Sequence, residues 1–259
     1  MKHFYFGTNL KMYKTNYETQ AFLRELKDLL KDFHSDILTL FVIPSFPALA
    51  DAGRLLADSP LLLGAQNMHW ADQGQFSGEV SADMLFELGV SLVMIGHSER
   101  RHIFGETDVE INKKILTALR RNLIPLLCIG ETKEEKDAGV SDEVLRMQLK
   151  QDLFGYPKHM LHRLFIAYEP VWAIGTGGTL APADYVRARH KAIRECLTEM
   201  FGEEGSQIPV LFGGSVNPEN APAYLELNDV DGLFVGRSAW KAKSYFNMVR
   251  TLFEDRETQ

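Results

Sequence analysis

The sequence is poor in cysteine. Its 259 residues include only Cys128 and Cys196, which lie far apart and outside any CxxC pair. This usage excludes a disulfide scaffold and is typical of a reducing cytosol. Cys128 falls inside an apolar run, where we expect a core residue. No apolar run approaches the ~18–20 residues that span a bilayer, and the first residues lack the features of a signal peptide. We therefore expect a soluble, cytoplasmic protein with no membrane partner.

The sequence also lacks an excess of positive charge. It has 28 Lys and Arg against 35 Asp and Glu, a formal net charge of −7. A nucleic-acid surface needs a basic face, so we expect no nucleic-acid partner, and any anionic substrate must be held by local groups. A metal site is poorly supported, because the eight histidines are scattered, HExxH is absent, and His159 with His162 has no obvious third ligand.

Eight short apolar runs alternate with longer amphipathic stretches. The runs are residues 4–7, 38–44, 61–65, 92–96, 124–130, 164–168, 208–213 and 232–236. Most are apolar at nearly every position, which favours strands buried on both faces, as in parallel sheets. Eight such strands, each followed by a candidate helix, predict an α/β protein with one domain over residues 1–259, a (β/α)₈ TIM barrel. A doubly wound open sheet is the alternative, although no GxGxxG follows the first run.

Capping residues mark several predicted helix starts. They are Thr15 with Glu18, Thr107 with Glu110, and Asn217 before Pro218. The first two pairs have the spacing of a capping box, and the third is typical of an N-cap followed by proline at the first helical position. The apolar periodicity predicts that the first helix covers residues 17–33.

In a barrel of this kind the chemistry lies at the carboxyl ends of the strands. Polar or glycine-rich positions follow six of the runs. They are Asn9 and Lys11 after the first run, Gln66 and Asn67 after the third, His97, Ser98 and Glu99 after the fourth, Glu169 after the sixth, residues 213–215 after the seventh, and residues 236–238 after the eighth. A carboxylate, an imidazole, a lysine and two glycine turns would then meet at one mouth.

Position alone leaves two readings for each of these groups. Glu169 is either a partly desolvated general base or an ordinary acid at a loop mouth. His97 either polarises a carbonyl or makes structural hydrogen bonds, and Lys11 either offsets negative charge or is a solvated surface lysine. The glycine turns either bind an anion through backbone N–H groups or are simple tight turns. We expect Glu99 and the two arginines after it to form a supporting ion-pair network.

The chain resembles the triosephosphate isomerase family from end to end. The motifs that carry the resemblance occur in the family's order and spacing. They are residues 9–12, 64–67 leading to 76–79, 96–101, 128–132, 167–177, 213–217 and 231–236. The eleven residues 167–177, AYEPVWAIGTG, are the most specific of them.

This resemblance implies an enzyme that needs no cofactor and interconverts dihydroxyacetone phosphate and D-glyceraldehyde 3-phosphate through an enediolate. Its implied roles fall on positions already selected. They are Glu169 as the base, His97 as a neutral electrophile, Lys11 and Asn9 as oxyanion-stabilising and orienting groups, Gly175, Ser215, Gly236 and Arg237 at the substrate phosphate, and Ser98 and Glu99 as supporting residues. The resemblance also implies a closing lid over about residues 170–179.

The chain departs from the family pattern at four places. Leu10 replaces the usual tryptophan, Phe212 the usual tyrosine before Gly-Gly-Ser, Gly178 the usual lid lysine, and Arg237 the second glycine of the eighth turn. Because phenylalanine lacks the tyrosine hydroxyl, we expect Phe212 to weaken lid closure. Arg237 either reaches the phosphate or pairs with a neighbouring acid.

The departures also keep other functions open. The string GRSAW at residues 236–240 is similar to relatives that isomerise erythrulose phosphates in erythritol breakdown, so a tetrulose phosphate is an alternative substrate. A non-catalytic phosphosugar sensor is the alternative from another class. Residues 70–81, with Ser77 at the tip, match the family's protruding interface loop and imply a homodimer, the alternative being an ordinary surface loop.

Overall fold

The computed structural model describes residues 2–175, 177–254 and 256, and residues 1, 176, 255 and 257–259 of the predicted domain lie outside this part. Parallel strands form a closed barrel in chain order. They are β1 (Phe4–Asn9), β2 (Leu38–Ile43), β3 (Leu62–Ala65), β4 (Leu92–Ile95), β5 (Ile124–Ile129), β6 (Phe165–Tyr168), β7 (Val210–Gly214) and β8 (Gly232–Val235). The predicted (β/α)₈ barrel is confirmed. The doubly wound alternative is wrong, because β1 pairs with both β2 and β8 and leaves no open edge.

Helices connect the strands on the outside of the barrel. They are α1 (Asn16–Leu30), α2 (Leu49–Leu56), α3 (Ala82–Glu87), α4 (Ser98–His102), α5 (Asp108–Arg120), α6 (Lys133–Asp137), α7 (Ser141–Asp152), α8 (Ala183–Phe201), α9 (Ala221–Leu225) and α10 (Ala242–Phe253). In the part of the chain that the structure describes, none of them combines the length and apolar character that a membrane crossing requires.

The capping boxes before α1 and α5 are confirmed, and Thr132 with Glu135 forms a further one before α6. The N-cap predicted at Asn217 is wrong for a helix. Its side chain accepts the N–H groups of residues 219 and 220, but these belong to a turn, and α9 begins at Ala221. Pro222, in the first turn of α9, suits a helix start better than Pro218 because its missing N–H is not needed there. Helix α1 also ends at Leu30, three residues before the predicted end.

Alternating side chains divide the strands into two layers. On β2, Phe41 and Ile43 point into the barrel, while Leu40 and Val42 pack against the helices. The barrel interior is filled by apolar side chains that include Leu126 and Cys128, so the prediction that Cys128 is a core residue is confirmed. A filled interior leaves the carboxyl ends of the strands as the place where polar side chains converge.

Candidate active site

The structure brings the predicted site residues together at the carboxyl-terminal rim of the barrel. Lys11 follows β1, and its Nζ lies 2.6 Å from Oε1 of Glu99, the second residue of α4. His97 precedes α4, and its Nε2 lies 3.6 Å from Oε2 of Glu169. Glu169 directly follows β6. Residues from three separate strand ends therefore form one continuous chain of contacts.

Glu169 is held in a buried position with an unused oxygen. Its backbone N–H donates to the Ile129 carbonyl at 2.8 Å, which fixes the chain as it leaves the strand. The residue is 7% exposed, and within the described residues its Oε2 has no hydrogen-bond partner. Burying a carboxylate oxygen without a hydrogen-bond donor costs stability. Because no described residue occupies this oxygen, it is available to accept a proton.

Gly213 explains why the carboxylate can sit there. A Cβ at this position would lie 2.7 Å from Cγ and 2.9 Å from Oε1 of Glu169. Real Cβ atoms do not approach this closely, so any other residue would displace the carboxylate. The sequence predicted that residues 213–215 form a turn for an anion, and it missed this packing role because nothing local in a Gly-Gly-Ser turn identifies the side chain above it.

His97 is oriented by the helix that it caps. Its Nδ1 accepts the N–H of Glu99 at 3.2 Å, at the start of α4. Because the backbone N–H is directed at Nδ1, Nε2 is the ring nitrogen that is available to donate. His97 is 2% exposed, and Nε2 is the nitrogen on the side of Glu169. The role of His97 as an electrophile stays a prediction.

The loop after β1 holds Lys11 in an unusual conformation. Lys11 has φ of +50°, in the left-handed region that side chains disfavour. Its N–H donates to Oδ1 of Asn9 at 2.8 Å, and Nε2 of Gln66 donates to its carbonyl at 2.8 Å. Asn67 points elsewhere and accepts Nζ of Lys114 at 3.0 Å. Of the two polar residues predicted after β3, only Gln66 supports the lysine.

Glu99, Arg100 and Arg101 of α4 each form ion pairs with different residues. Glu99 pairs with Lys11, whereas Nε of Arg100 donates to Glu106 at 2.9 Å. Arg101 pairs with Asp108 and with Asp152, and it also donates to the carbonyls at the ends of β4 and β5. Burial raises the pKa of Asp152 to about 8, against the opposing charge of Arg101.

Ser98 is buried at the start of α4. It lines a small hollow together with Cys128, Arg101 and Glu169. Burial is also the main reason why the pKa of the Cys128 thiol is raised well above its usual value, and the nearby Glu169 charge adds to the effect. The Cys128 thiol and the Ser98 hydroxyl therefore line the same hollow as the Glu169 carboxylate.

Glu131, which sequence reasoning missed, anchors the start of the predicted lid. It is fully buried and accepts the Trp172 indole N–H at 2.9 Å, the Tyr185 hydroxyl at 2.8 Å and the Tyr168 hydroxyl at 3.1 Å. Its position directly after the fifth apolar run was the available signal. Because Trp172 lies in the 3₁₀ turn Val171–Ala173, this carboxylate ties the first lid residues to the barrel.

Ser215 connects the two halves of the segment that was predicted to be the lid. Its hydroxyl donates to the Ala173 carbonyl at 2.8 Å and lies 3.5 Å from the Gly178 carbonyl. A Cβ on Gly178 would lie 2.7 Å from the Ala173 backbone, so this conformation excludes the lysine that is usual in the family. Gly175, at the lid tip, is exposed with φ of +82°, and the predicted lid residue Thr176 lies outside the described residues.

The turn after β8 contains Gly236 and Arg237. An atom added at the Cβ position of Gly236 would meet nothing within 4 Å. Arg237 is exposed, and across residues 2–175, 177–254 and 256 no acid pairs with it. The reading in which Arg237 neutralises a neighbouring acid therefore gains no support. Phe212 is fully buried against Tyr224, with ring centroids 4.5 Å apart.

Comparisons with known proteins agree with this geometry. The family model described as "Triosephosphate isomerase" matches residues 4–252. A triosephosphate isomerase of Dictyoglomus turgidum is 43% identical over 246 residues, which cover 95% of this chain and 98% of the relative. An L-erythrulose-1-phosphate isomerase of Rhizobium etli is 45% identical over 245 residues, which cover 94% and 90%. The crystal structure of triosephosphate isomerase from Bartonella henselae superposes with a TM-score of 0.87 at 32% identity, covering 96% of this chain and 98% of that one.

Proposed function

This chain belongs to the triosephosphate isomerase family of enzymes, and we propose that it interconverts dihydroxyacetone phosphate and D-glyceraldehyde 3-phosphate. The observation that carries the proposal is the pairing at the rim. Among the described residues, a buried Glu169 oxygen without a hydrogen-bond partner lies 3.6 Å from Nε2 of His97. A base and a hydrogen-bond donor at this separation suit a carbon acid and the carbonyl beside it.

In the proposed reaction, Glu169 removes a proton from the carbon next to the substrate carbonyl. The C–H electron pair becomes the carbon–carbon double bond of an enediolate, and negative charge moves to the carbonyl oxygen. Nε2 of His97 donates to that oxygen, while the Lys11 ammonium and the Asn9 side chain stabilise and orient it. Glu169 then returns the proton to the former carbonyl carbon. The proton of the adjacent hydroxyl passes through His97 to the former carbonyl oxygen, so that the new carbonyl forms on the neighbouring carbon. Only protons move, so the step needs no cofactor.

The phosphate group would be held by the lid and the two glycine turns. We assign this role to Gly175, Ser215, Gly236 and Arg237. Arg237, which pairs with no acid among the described residues, adds a charged donor, and this matters in a chain whose net charge of −7 does not attract anions. Closure of the lid would exclude water and restrict elimination of phosphate from the enediolate. The hydroxyl missing from Phe212 removes about 0.5–1.5 kcal/mol at most from closure, the usual worth of one hydrogen bond.

A tetrulose phosphate is the second candidate substrate. The similarity to the L-erythrulose-1-phosphate isomerase of Rhizobium etli favours it, as does Arg237, which has no acidic partner in the described part of the chain. Turnover of dihydroxyacetone phosphate and of L-erythrulose 1-phosphate by the same preparation separates the two. We expect kcat/KM to be at least about tenfold higher for the triose, because one additional carbon group in a fitted site costs roughly 1–3 kcal/mol. The opposite ratio moves the assignment to the tetrulose, and binding of both without turnover would indicate a sensor.

We also propose that the protein is a cytoplasmic homodimer. Several large apolar side chains are exposed on loops next to the rim. They are Met12, Tyr13, Phe76, Ile103 and Phe104. Together with the loop over residues 70–81 around Ser77, they would gain by burial in a second copy of the chain. Sedimentation at assay concentration should give twice the mass of one chain, and a fully active monomer would contradict the dimer. Two free, buried cysteines suit the cytoplasm, which cell fractionation would test.

A further inference from the structure

We propose that Trp240 is a positioning residue that fixes Lys11 relative to the phosphate end of the site. It does so by tying the turn after β8 to the loop after β1. The proposal rests on the proposed function for the role of Lys11. The contact between Trp240 and the loop after β1 is seen in the structure and does not depend on that function. Trp240 touches no substrate in this scheme and acts through the backbone that carries the lysine.

The indole contacts the lysine loop on both sides of Lys11. Its Nε1 donates to the backbone carbonyl of Asn9 at 2.8 Å, two residues before the lysine. Its ring packs on Tyr13, two residues after the lysine, with ring centroids 4.5 Å apart and planes inclined by 38°. A single side chain therefore spans the segment in which the backbone turns.

That segment needs support because of its conformation. Lys11 has φ of +50°, and a residue with a Cβ stays in the left-handed region only where its surroundings hold it. Gln66 supports the loop from β3, and the Ile43 carbonyl accepts the N–H of Leu10 at 2.9 Å from β2. Trp240 supplies the contact from the opposite neighbour of β1, which is β8.

The same contact connects Lys11 to the proposed phosphate positions. Gly236 precedes the 3₁₀ turn Arg237–Ala239, and Trp240 follows it. The turn is closed by two hydrogen bonds, from Ala239 N–H to the Gly236 carbonyl at 3.0 Å and from Trp240 N–H to the Arg237 carbonyl at 3.2 Å. Only these few residues separate the phosphate end from the indole. A short, closed turn therefore sets the distance between the groups that hold the two ends of the substrate.

The first test is Trp240→Phe, which removes the N–H donor and keeps a ring against Tyr13. We expect kcat/KM to fall about tenfold, as for one lost hydrogen bond to a strained segment. Tyr245→Phe is the matched control. The Tyr245 hydroxyl donates to another β1 carbonyl, that of Phe6, at 3.1 Å and far from the lysine. This variant should lose thermal stability while kcat/KM stays within twofold.

A double-mutant cycle with Lys11→Met separates positioning from general destabilisation. If Trp240 acts through the lysine, adding Trp240→Phe to Lys11→Met should change kcat/KM less than about twofold. The same tenfold loss in both backgrounds would overturn the proposal. Should Trp240→Phe fail to fold, 3-benzothienylalanine at this position removes only the N–H and repeats the test.

A crystal structure of the Trp240→Phe protein provides a readout that does not need activity. We expect the φ of Lys11 to leave the region near +50° and Nζ of Lys11 to leave Glu99. Unchanged geometry would overturn the proposal. Absence of isomerase activity in the wild-type protein would overturn the proposed function instead, so the two failures are distinguishable.

Discussion

The interior of the barrel and its carboxyl-terminal rim are built by the same strands, yet they treat polar groups in opposite ways. The interior contains apolar side chains such as Phe41 and Leu126, both fully buried. At the rim, Glu169 and His97 are nearly as buried. Among the described residues Oε2 of Glu169 has no hydrogen-bond partner, and Nε2 of His97 lies 3.6 Å from it. Such atoms cost stability, but in the same part of the chain Thr19 and His190 on the outer helices also leave one unpaired. What distinguishes the rim is that its buried polar groups converge with Lys11 and Glu99, which the comparison assigns to a purpose other than folding.

The largest expected effect comes from Glu169→Gln. We expect kcat to fall by about 10²–10⁴-fold, the usual contribution of a general base. The substitution removes a buried carboxylate charge from a side chain whose Oε2 no described residue contacts by a hydrogen bond. The melting temperature should therefore stay the same or rise. Steady-state kinetics and calorimetry on one preparation check both parts. A variant that is destabilised but still active would show that Glu169 contributes to folding, as the interior residues do, and not to catalysis.

A pair of glycines sharpens the comparison. A Cβ on Gly213 would meet the Glu169 carboxyl group, whereas a Cβ on Gly7 would lie 2.2 Å from the Phe41 ring inside the barrel. Gly213→Ala should therefore lower kcat more than stability, and Gly7→Ala should lower the free energy of unfolding by about 1–3 kcal/mol with little change in kcat. Urea unfolding and steady-state kinetics on both variants test whether one variant loses mainly activity and the other mainly stability. Equal effects of both on kcat would break the distinction between the two regions.

A second buried histidine extends the comparison to the outside of the barrel. Nδ1 of His190 donates to the Asp229 carbonyl at 3.0 Å, and burial lowers its pKa from 6.5 to about 4. The unfolded chain takes up this proton between those values and the folded chain does not, so stability falls as the pH decreases. From pH 6.5 to 5 the loss should be about 2 kcal/mol. Unfolding of His190→Gln across this range should show a shallower slope, and an identical slope would contradict the assignment.

The smallest expected effect is at the lid. Ser215→Ala removes the hydrogen bond to the Ala173 carbonyl, which is worth about 0.5–1.5 kcal/mol. Because Ser215 is also a proposed phosphate position, KM should rise by about 2–10-fold, while the free energy of unfolding falls by about 1.5 kcal/mol at most. Kinetics at several substrate concentrations separate KM from kcat. A loss of stability with an unchanged KM would assign Ser215 to packing alone.

Much of the fold was predictable because its signals are local. Strands buried on both faces leave continuous apolar runs, and every predicted run ends within two residues of the observed strand. The rim positions follow from the rule that polar side chains at strand ends converge. That rule brought Lys11, His97 and Glu169 together without information on their mutual contacts.

The features that sequence reasoning missed depend on the spatial arrangement of distant residues. The Trp240 indole reaches a carbonyl 231 positions away in the chain, and Gly213 matters only because the Glu169 side chain lies over it. The left-handed conformation of Lys11 has no local mark, since lysine shows no preference for it. The wrong N-cap at Asn217 arose because a turn uses the same side-chain hydrogen bonds as a helix start.

Proton transfer by Glu169 at a rim shared with His97 and Lys11 is tested most directly by running the reaction in D₂O. Dihydroxyacetone phosphate and its product are followed by proton NMR with the wild-type protein and with Glu169→Gln. Deuterium should enter the carbon next to the carbonyl in the product or the recovered substrate, and the variant should show almost no exchange. Complete conversion with no solvent deuterium in either compound, or undiminished exchange in the variant, would contradict this assignment.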